Sequence, residues 1–240
     1  MNTLEDKIAL LHNYSACDVS DALLKIQPVA PNTAPRAGYL ADLNLYPPNL
    51  PPTHRRKIIA PATTLTFHPK HPPPSSTPAP APPIPIPHNT HWSDLTTPDT
   101  ILLITQPANQ HCAVVGGIMA QRMKLRGVAG VVVSGRVRDM AELRASGLSV
   151  WARGVSTVGS AAETVPGGFG AEVDFGGVRV KPGDIIFCDP EEGVVAIPRE
   201  LLDRVLEVMP KLVAMDERVK EGVARGMSVF EAFREFRTKI

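Results

Sequence analysis

Two hundred and forty residues suffice to bury a sizeable core without disulfides, and 25 Lys plus Arg against 24 Asp plus Glu leave a net charge of +1. So balanced a chain lacks the basic excess of a nucleic-acid binder or a polybasic membrane anchor, and no run of 18 apolar residues is present to span a bilayer. The first 15 residues, MNTLEDKIALLHNYS, carry acids where an export signal has a basic start, and three widely spaced cysteines form no CxxC pair, so a soluble, cytoplasmic protein is expected.

Leu4, Ile8 and Leu11 recur at helical spacing behind Thr3, predicting a helix to about residue 14, and a second helix is predicted over 19–26. Proline then dominates. Of 25 prolines, 20 precede residue 108, and ten of these lie in 69–90, PKHPPPSSTPAPAPPIPIPHNT. Proline fixes φ and removes an amide donor, so this segment reads as a mobile insertion of polyproline II character that joins no sheet ladder. It is more simply a tolerated surface insertion than a ligand for a proline-reading module. The β-rich runs 57–67, KIIAPATTLTF, and 100–105, TILLIT, bracket it and are expected to pair.

Gly116 and Gly117 come next, then a helix predicted over 118–125, stopped at Arg126-Gly127, and an apolar strand over 128–133. That strand is expected to end in Ser134-Gly135 and to turn through Arg136, Val137 and Arg138 into a short helix, 139–145. A strand over 148–152 and a β-meander over 172–198, with turns at KPGD and DPEEG, follow. In the tail, Leu202, Val205, Leu206, Met209, Leu212 and Val213 share a helix face with a kink expected at Pro210, and a capping box from Ser228 to Glu231 opens a last helix. No internal repeat appears, which leaves one mixed α/β domain over 1–240 interrupted by the proline-rich segment.

Several chemistries fit poorly. His68/His71 and His88/His91 share HxxH spacing but sit in or beside the proline tract, where no helix can aim both rings at one zinc ion. GVSTVGS and VSGRV lack the spacing of a serine-hydrolase elbow, and GGFG and GGIMA lack the dinucleotide and P-loop patterns. The acids of DPEEG, Asp189, Glu191 and Glu192, read as a hairpin corner, and Lys124 as a solvated helix residue rather than a Schiff-base nucleophile.

The richest stretch is VVGGIMAQRMKLRGVAGVVVSGRVRDMAEL, residues 114–143. Gly116-Gly117 at a helix start would leave the amides of Gly117, Ile118 and Met119 free to face an anion such as a carboxylate. Arg138 can grip a carboxylate or keto oxygen, and Asp139 can hold a hard divalent cation. Equally, Asp139 and Glu142 are spaced as a capping box and Arg138 suits an exposed turn. Residue types alone leave both readings open.

GG-x-x-A followed by K-x-RGVAGVVV-x-G-x-VRD, with the later block GDIIFCDPEEGVVAIP and a weaker early match at DVSDAL, resembles the RraA-like family. That family includes 4-hydroxy-4-methyl-2-oxoglutarate aldolases and related oxaloacetate decarboxylases. The resemblance implies an α/β fold with a compact sandwich or barrel-like core and flanking helices, of the swivelling phosphohistidine-domain type, in homotrimers or homohexamers with active sites between subunits. It implies Mg²⁺ or Mn²⁺ on Asp139, a short 2-oxo acid on Arg138, and the substrate carboxylate on the amides of Gly117, Ile118 and Met119. An acid from a neighbouring subunit's tail, Glu217 or else Asp216, would help order water. Two departures stand out: aldolase members can carry an acid where Gly117 stands, and many have one where Ser134 stands. Their loss favours oxaloacetate decarboxylation, which needs no proton taken from a substrate hydroxyl, over retro-aldol cleavage. The alternative is a catalytically silent binding protein, since the family's namesake inhibits a ribonuclease.

Overall fold

Capping boxes set the first two helices in the computed structural model, which describes residues 3–29, 31–48, 51, 55–72 and 81–237. Helix α1 (Leu4–Leu11) starts behind the Thr3/Asp6 pair, and α2 (Ala16–Ile26) behind Ser15/Asp18. The second pair starts α2 three residues before the predicted 19, because Asp18 reaches back to the Ser15 amide. There follow β1 (Asn44–Tyr46), β2 (Ile58–Pro69), a 3-10 turn (Trp92–Leu95), β3 (Ile101–Thr105), β4 (Ala113–Val115) and α3 (Gly117–Leu125). Then come β5 (Gly130–Val137), α4 (Met140–Ala145), β6 (Val150–Val155), β7 (Thr164–Phe169), β8 (Val173–Asp174) and β9 (Arg179–Val180). The chain continues through β10 (Ile185–Asp189), β11 (Gly193–Ile197), α5 (Leu202–Ala224) and α6 (Val229–Phe236).

Nine strands form one sheet in the order β1-β6-β5-β3-β2-β10-β11, with β4 on β5 and β7 on β2. Strands β2, β3, β5 and β6 run parallel, and β2 pairs β3 as expected, Ala62 opposite Ile101. The two ends of the sheet are drawn together by one segment. Tyr39 bridges Val195 of β11, and five residues later Asn44 pairs with Ala152 of β6. The result is a nearly closed, barrel-like sheet. Alternate residues of the central strands therefore point inward or toward helices: Ile101, Leu103, Val132 and Ile186 join one cluster inside, while Leu102, Ile104, Val131 and Val133 meet Ala120, Met123 and Leu143 outside. Helices α1, α2 and α5 cover Ile59, Phe187 and Val195. Both faces being buried explains why these strands read as unbroken apolar runs. The mixed α/β class with a barrel-like core and flanking helices is thus the observed one.

Three expectations need correction, and one of two open readings is closed. Strand β5 does not end at Val133 but runs to Val137, with a register shift against β6 between Val133 and Arg136. Gly135 makes this possible: with no side chain of its own, it leaves room for the Gln106 carboxamide, whose oxygen accepts the Arg136 amide at 3.0 Å. The proline-rich segment does join the sheet at its margins, since Pro69 ends β2 opposite Thr164 and Ile84 exchanges two backbone hydrogen bonds with Phe169. Proline is tolerated there because β7 uses the neighbouring, unhindered groups; residues 73–80 of that segment lie outside those described. The predicted meander is two hairpins, β8-β9 and β10-β11, because β9 does not pair with β10. Finally, Asp139 and Glu142 form no capping box on α4. Pro210 lies inside α5, which runs unbroken from Leu202 to Ala224. Among the described residues no helix is long and apolar enough to cross a membrane.

Candidate active site at the ends of two parallel strands

Strands β4 and β5 are parallel neighbours, and each hands the chain to a helix at the same end, β4 through Gly116 to α3 and β5 through Arg138 and Asp139 to α4. Such an end collects loop backbone and helix starts around one crevice. The Arg138 amide donates to the Val115 carbonyl at 3.0 Å, which locks the two crossings together.

Asp139 has left-handed backbone, φ 57° and ψ 52°, a conformation that aspartate tolerates better than most residues. This turn sends its carboxylate away from α4 and toward the start of α3. Its Oδ2 accepts from the Gly117 amide at 3.4 Å and lies 3.4 Å from Arg138 Nε. A Cβ on Gly116 would come within 2.6 Å of that oxygen, so the glycine is what admits the carboxylate. A Cβ on Gly117 would collide with the Glu142 side chain, whose Cδ would lie 3.1 Å away. Two carboxylates, those of Asp139 and Glu142, thus face the start of α3. Among the described residues Glu142 has no ion-pair or hydrogen-bond partner for its carboxylate, whereas Asp139 is shared between Arg138 and the Gly117 amide.

These contacts bear on the predicted residues one by one. Gly117, Arg138 and Asp139 come together; the Gly117 amide is directed at Asp139, and Ile118, next on α3, is 74 % exposed. Glu217 and Asp216 lie elsewhere in the same chain, on α5, where Glu217 pairs with Lys220 at 2.7 Å and Asp216 with Arg237 at 2.8 Å. Ser134 is buried behind the site and its hydroxyl accepts the Gln106 amide at 3.3 Å. Of the DPEEG acids Asp189 serves the hairpin corner, accepting from the Glu191 amide, whereas Glu192 accepts from the Cys17 amide in the first turn of α2.

A cavity of about 700 Å³ opens in front of Arg138 and Asp139, bounded also by His111, Arg136 and Val155. The wall behind it rests on residues whose part no spacing in the sequence discloses. Gln106 ties β5 to the β3–β4 connection, its Nε2 donating to the Cys112 carbonyl at 2.8 Å. The Glu163 carboxylate accepts from the amides of Cys112 and His111, both at 2.7 Å, and these bonds hold it below the usual glutamate range. Burial, reinforced by Glu163, pushes the Cys112 thiol up. The only sequence signal for this support was a polar Gln directly after an apolar strand.

The donor set is all oxygen. Among the described residues no group of three His, Cys, Asp or Glu side chains converges. One chain therefore offers a partial ligand set of one or two carboxylates, a set that suits Mg²⁺ or Mn²⁺, which keep several waters, and does not suit zinc. Of the two carboxylates Asp139 lines the cavity, and the absence of a side chain at Gly116 leaves room for it there.

The family profile described as RraA-like, Aldolase/RraA, matches residues 16–196. The chain is 25% identical over 239 residues to Protein DlpA of Legionella pneumophila, covering 98% of this chain and 34% of that protein. It is 28% identical over 139 residues to a protein of Halalkalibacterium halodurans named as a putative 4-hydroxy-4-methyl-2-oxoglutarate aldolase, covering 58% of this chain and 65% of that one. The chain thus spans about a third of the first relative's length and just under two thirds of the second's. Among solved structures, Streptomyces coelicolor RraAS2, described as an unusual member of the RNase ES inhibitor RraA protein family, superposes with a TM-score of 0.67 at 21% identity, covering 95% of this chain and 99% of that chain. With the profile spanning most of the sequence and the Gly-Gly and Arg-Asp elements meeting at one strand end, the chain belongs to the RraA-like family.

Proposed function

We propose that the protein is a divalent-metal-dependent carbon–carbon lyase acting on short 2-oxo acids to give pyruvate, with oxaloacetate decarboxylation favoured over aldol cleavage. The observation that carries this reading is the Asp139 carboxylate, turned by left-handed backbone away from its own helix and presented to the cavity beside Arg138. Asp139, with Glu142 facing the same helix start, would hold Mg²⁺ or Mn²⁺. When bound, such an ion supplies positive charge where the breaking bond leaves a negative enolate oxygen.

The chain's own residues do the rest. Arg138 binds the 2-oxo acid and places a fixed cation beside the same developing charge. The next amides of α3, at Ile118 and Met119, orient the substrate carboxylate, the Gly117 amide being turned to Asp139. Decarboxylation expels CO₂ without a base taking a hydroxyl proton, which suits a site lacking acids at 117 and 134. In a trimer or hexamer, Glu217 or Asp216 of a neighbouring copy would order water at the site; both stand on the partly exposed side of α5.

A second reading, a binding or regulatory protein without turnover, is favoured by those same two absent acids, Gly117 and Ser134 standing in their place. One experiment separates the two. Purified protein with Mg²⁺ or Mn²⁺ and oxaloacetate, followed by a coupled pyruvate assay, should show turnover abolished by EDTA and by Asp139→Asn. A rate indifferent to both would refute the metal role, and no turnover on any 2-oxo acid would leave the binding reading in its place.

A further inference from the structure

Arg138 is not the only guanidinium in the cavity. Arg136, two residues earlier on β5, lines the same space, and nothing in the Gly-Gly and Arg-Asp elements requires an arginine there. Residues two apart on an extended chain point to one side and stand about 6.6 Å apart. Both guanidiniums rest on glycine. A Cβ on Gly154 would come within 2.9 Å of Arg136 Nη1, and a Cβ on Gly159 within 2.9 Å of Arg138 Nη1. Side chains at 154 and 159 would crowd the two cations from beneath.

The two are differently engaged. Arg138 has Asp139 beside it at 3.4 Å. Among the described residues Arg136 pairs with no carboxylate, and its guanidinium donates only to the Val155 carbonyl, 3.1 Å away, which leaves most of its donors for a ligand. The nearby His111 faces Glu163 at 3.8 Å, so that acid is already engaged. The cavity therefore offers one guanidinium next to the proposed metal carboxylate and a second, uncommitted one beside it. A four- or five-carbon chain with a carboxylate at each end is long enough to reach two cations borne on residues about 6.6 Å apart.

We infer that Arg136 is a specificity residue that binds the distal carboxylate of a 2-oxo dicarboxylate while Arg138 holds the 2-oxo end. The inference rests on the proposed function above for the identity of the site, and it adds the reason a monocarboxylate would be a poor ligand. Carboxylate–guanidinium bonds are charge-assisted and often bidentate, so losing one is a loss of tenfold or more in affinity.

The test is calorimetric binding to the full chain with Mg²⁺ present, using 2-oxoglutarate as the dicarboxylate probe and 2-oxobutanoate as the monocarboxylate probe. Wild type should prefer 2-oxoglutarate by at least tenfold. Arg136→Gln should abolish that preference while leaving 2-oxobutanoate affinity within twofold, and Arg136→Lys should keep part of it. With oxaloacetate as substrate, whose distal carboxylate is the one that leaves as CO₂, Arg136→Gln should raise KM and leave kcat unchanged or higher, because the charge it binds disappears as the bond breaks. Equal weakening of both probes, or an unchanged preference, would overturn the assignment. Wild type binding neither probe would overturn it together with the lyase reading. Selective binding that depends on Arg136 in a protein that turns nothing over would sustain this inference and refute the lyase reading alone.

Discussion

Replacing Gly116 by alanine perturbs the site through one methyl group. Its backbone, φ −131° and ψ −175°, is open to any residue, so alanine brings no conformational penalty. The added Cβ, however, would lie 2.6 Å from Asp139 Oδ2, closer than non-bonded atoms tolerate. Relief must come from the carboxylate, the flexible end of a half-exposed side chain, moving by roughly 0.5–1 Å. Misplacement of that size in a reacting group costs on the order of 10²-fold in rate. The expectation for Gly116→Ala is a ~10–100-fold fall in oxaloacetate kcat/KM with a melting temperature close to wild type. Full activity in a folded Gly116→Ala would show that the position of the Asp139 carboxylate is immaterial, and a large loss of stability would show that Gly116 serves the fold instead.

Two further outcomes test the support around the cavity. Gln106→Ala removes the acceptor of the Arg136 amide and the donor to the Cys112 carbonyl, and should cost about 1–3 kcal/mol in urea unfolding, with hydrogen exchange accelerated at the amide of Arg136. The Glu163 carboxyl, held low by the amides of Cys112 and His111, contributes stability that is present above its unfolded value and is lost as pH falls through the lowered folded value. Wild type should therefore melt above Glu163→Gln at neutral pH, the gap shrinking as pH falls below the ordinary glutamate pKa of 4.5 and closing below the lowered folded value; a gap independent of pH would refute the assignment.

What the sequence disclosed and what it hid follow from the range of the interactions involved. TILLIT and AGVVV read as buried strands because both faces of β3 and β5 are covered, so no polar alternation interrupts them. The Arg-Asp element and the two glycines are local strings, and their meeting needs only β4 beside β5. Strand β7, TVPGGF, falls between the predicted elements, and its Pro166, Gly167 and Gly168 carry breaker signals. It is a strand because Phe67, His68 and Pro69 of β2 lie alongside it, nearly a hundred residues away in the chain. The apparent turn at Ser134-Gly135 failed for the same reason: only Gln106, from another strand's end, lets the backbone continue. Glycine spoke for a turn where the tertiary structure used it as a vacancy for a neighbour.

The backbone at Asp139 makes the choice of substitution informative. A left-handed conformation costs an ordinary L residue about 1–2 kcal/mol, while aspartate, asparagine and glycine adopt it more readily. Alanine at 139 would therefore change charge and backbone together, whereas asparagine changes charge alone. The expected order of melting temperature is Asp139→Gly and Asp139→Asn near wild type, with Asp139→Ala lower by roughly 2–6 °C. Activity should vanish in all three, because each lacks the carboxylate that faces the cavity. Were Asp139→Asn to turn over oxaloacetate normally while only Asp139→Ala failed, the residue's contribution would be the turn from β5 into α4, and the charge at that turn would have no part in the chemistry.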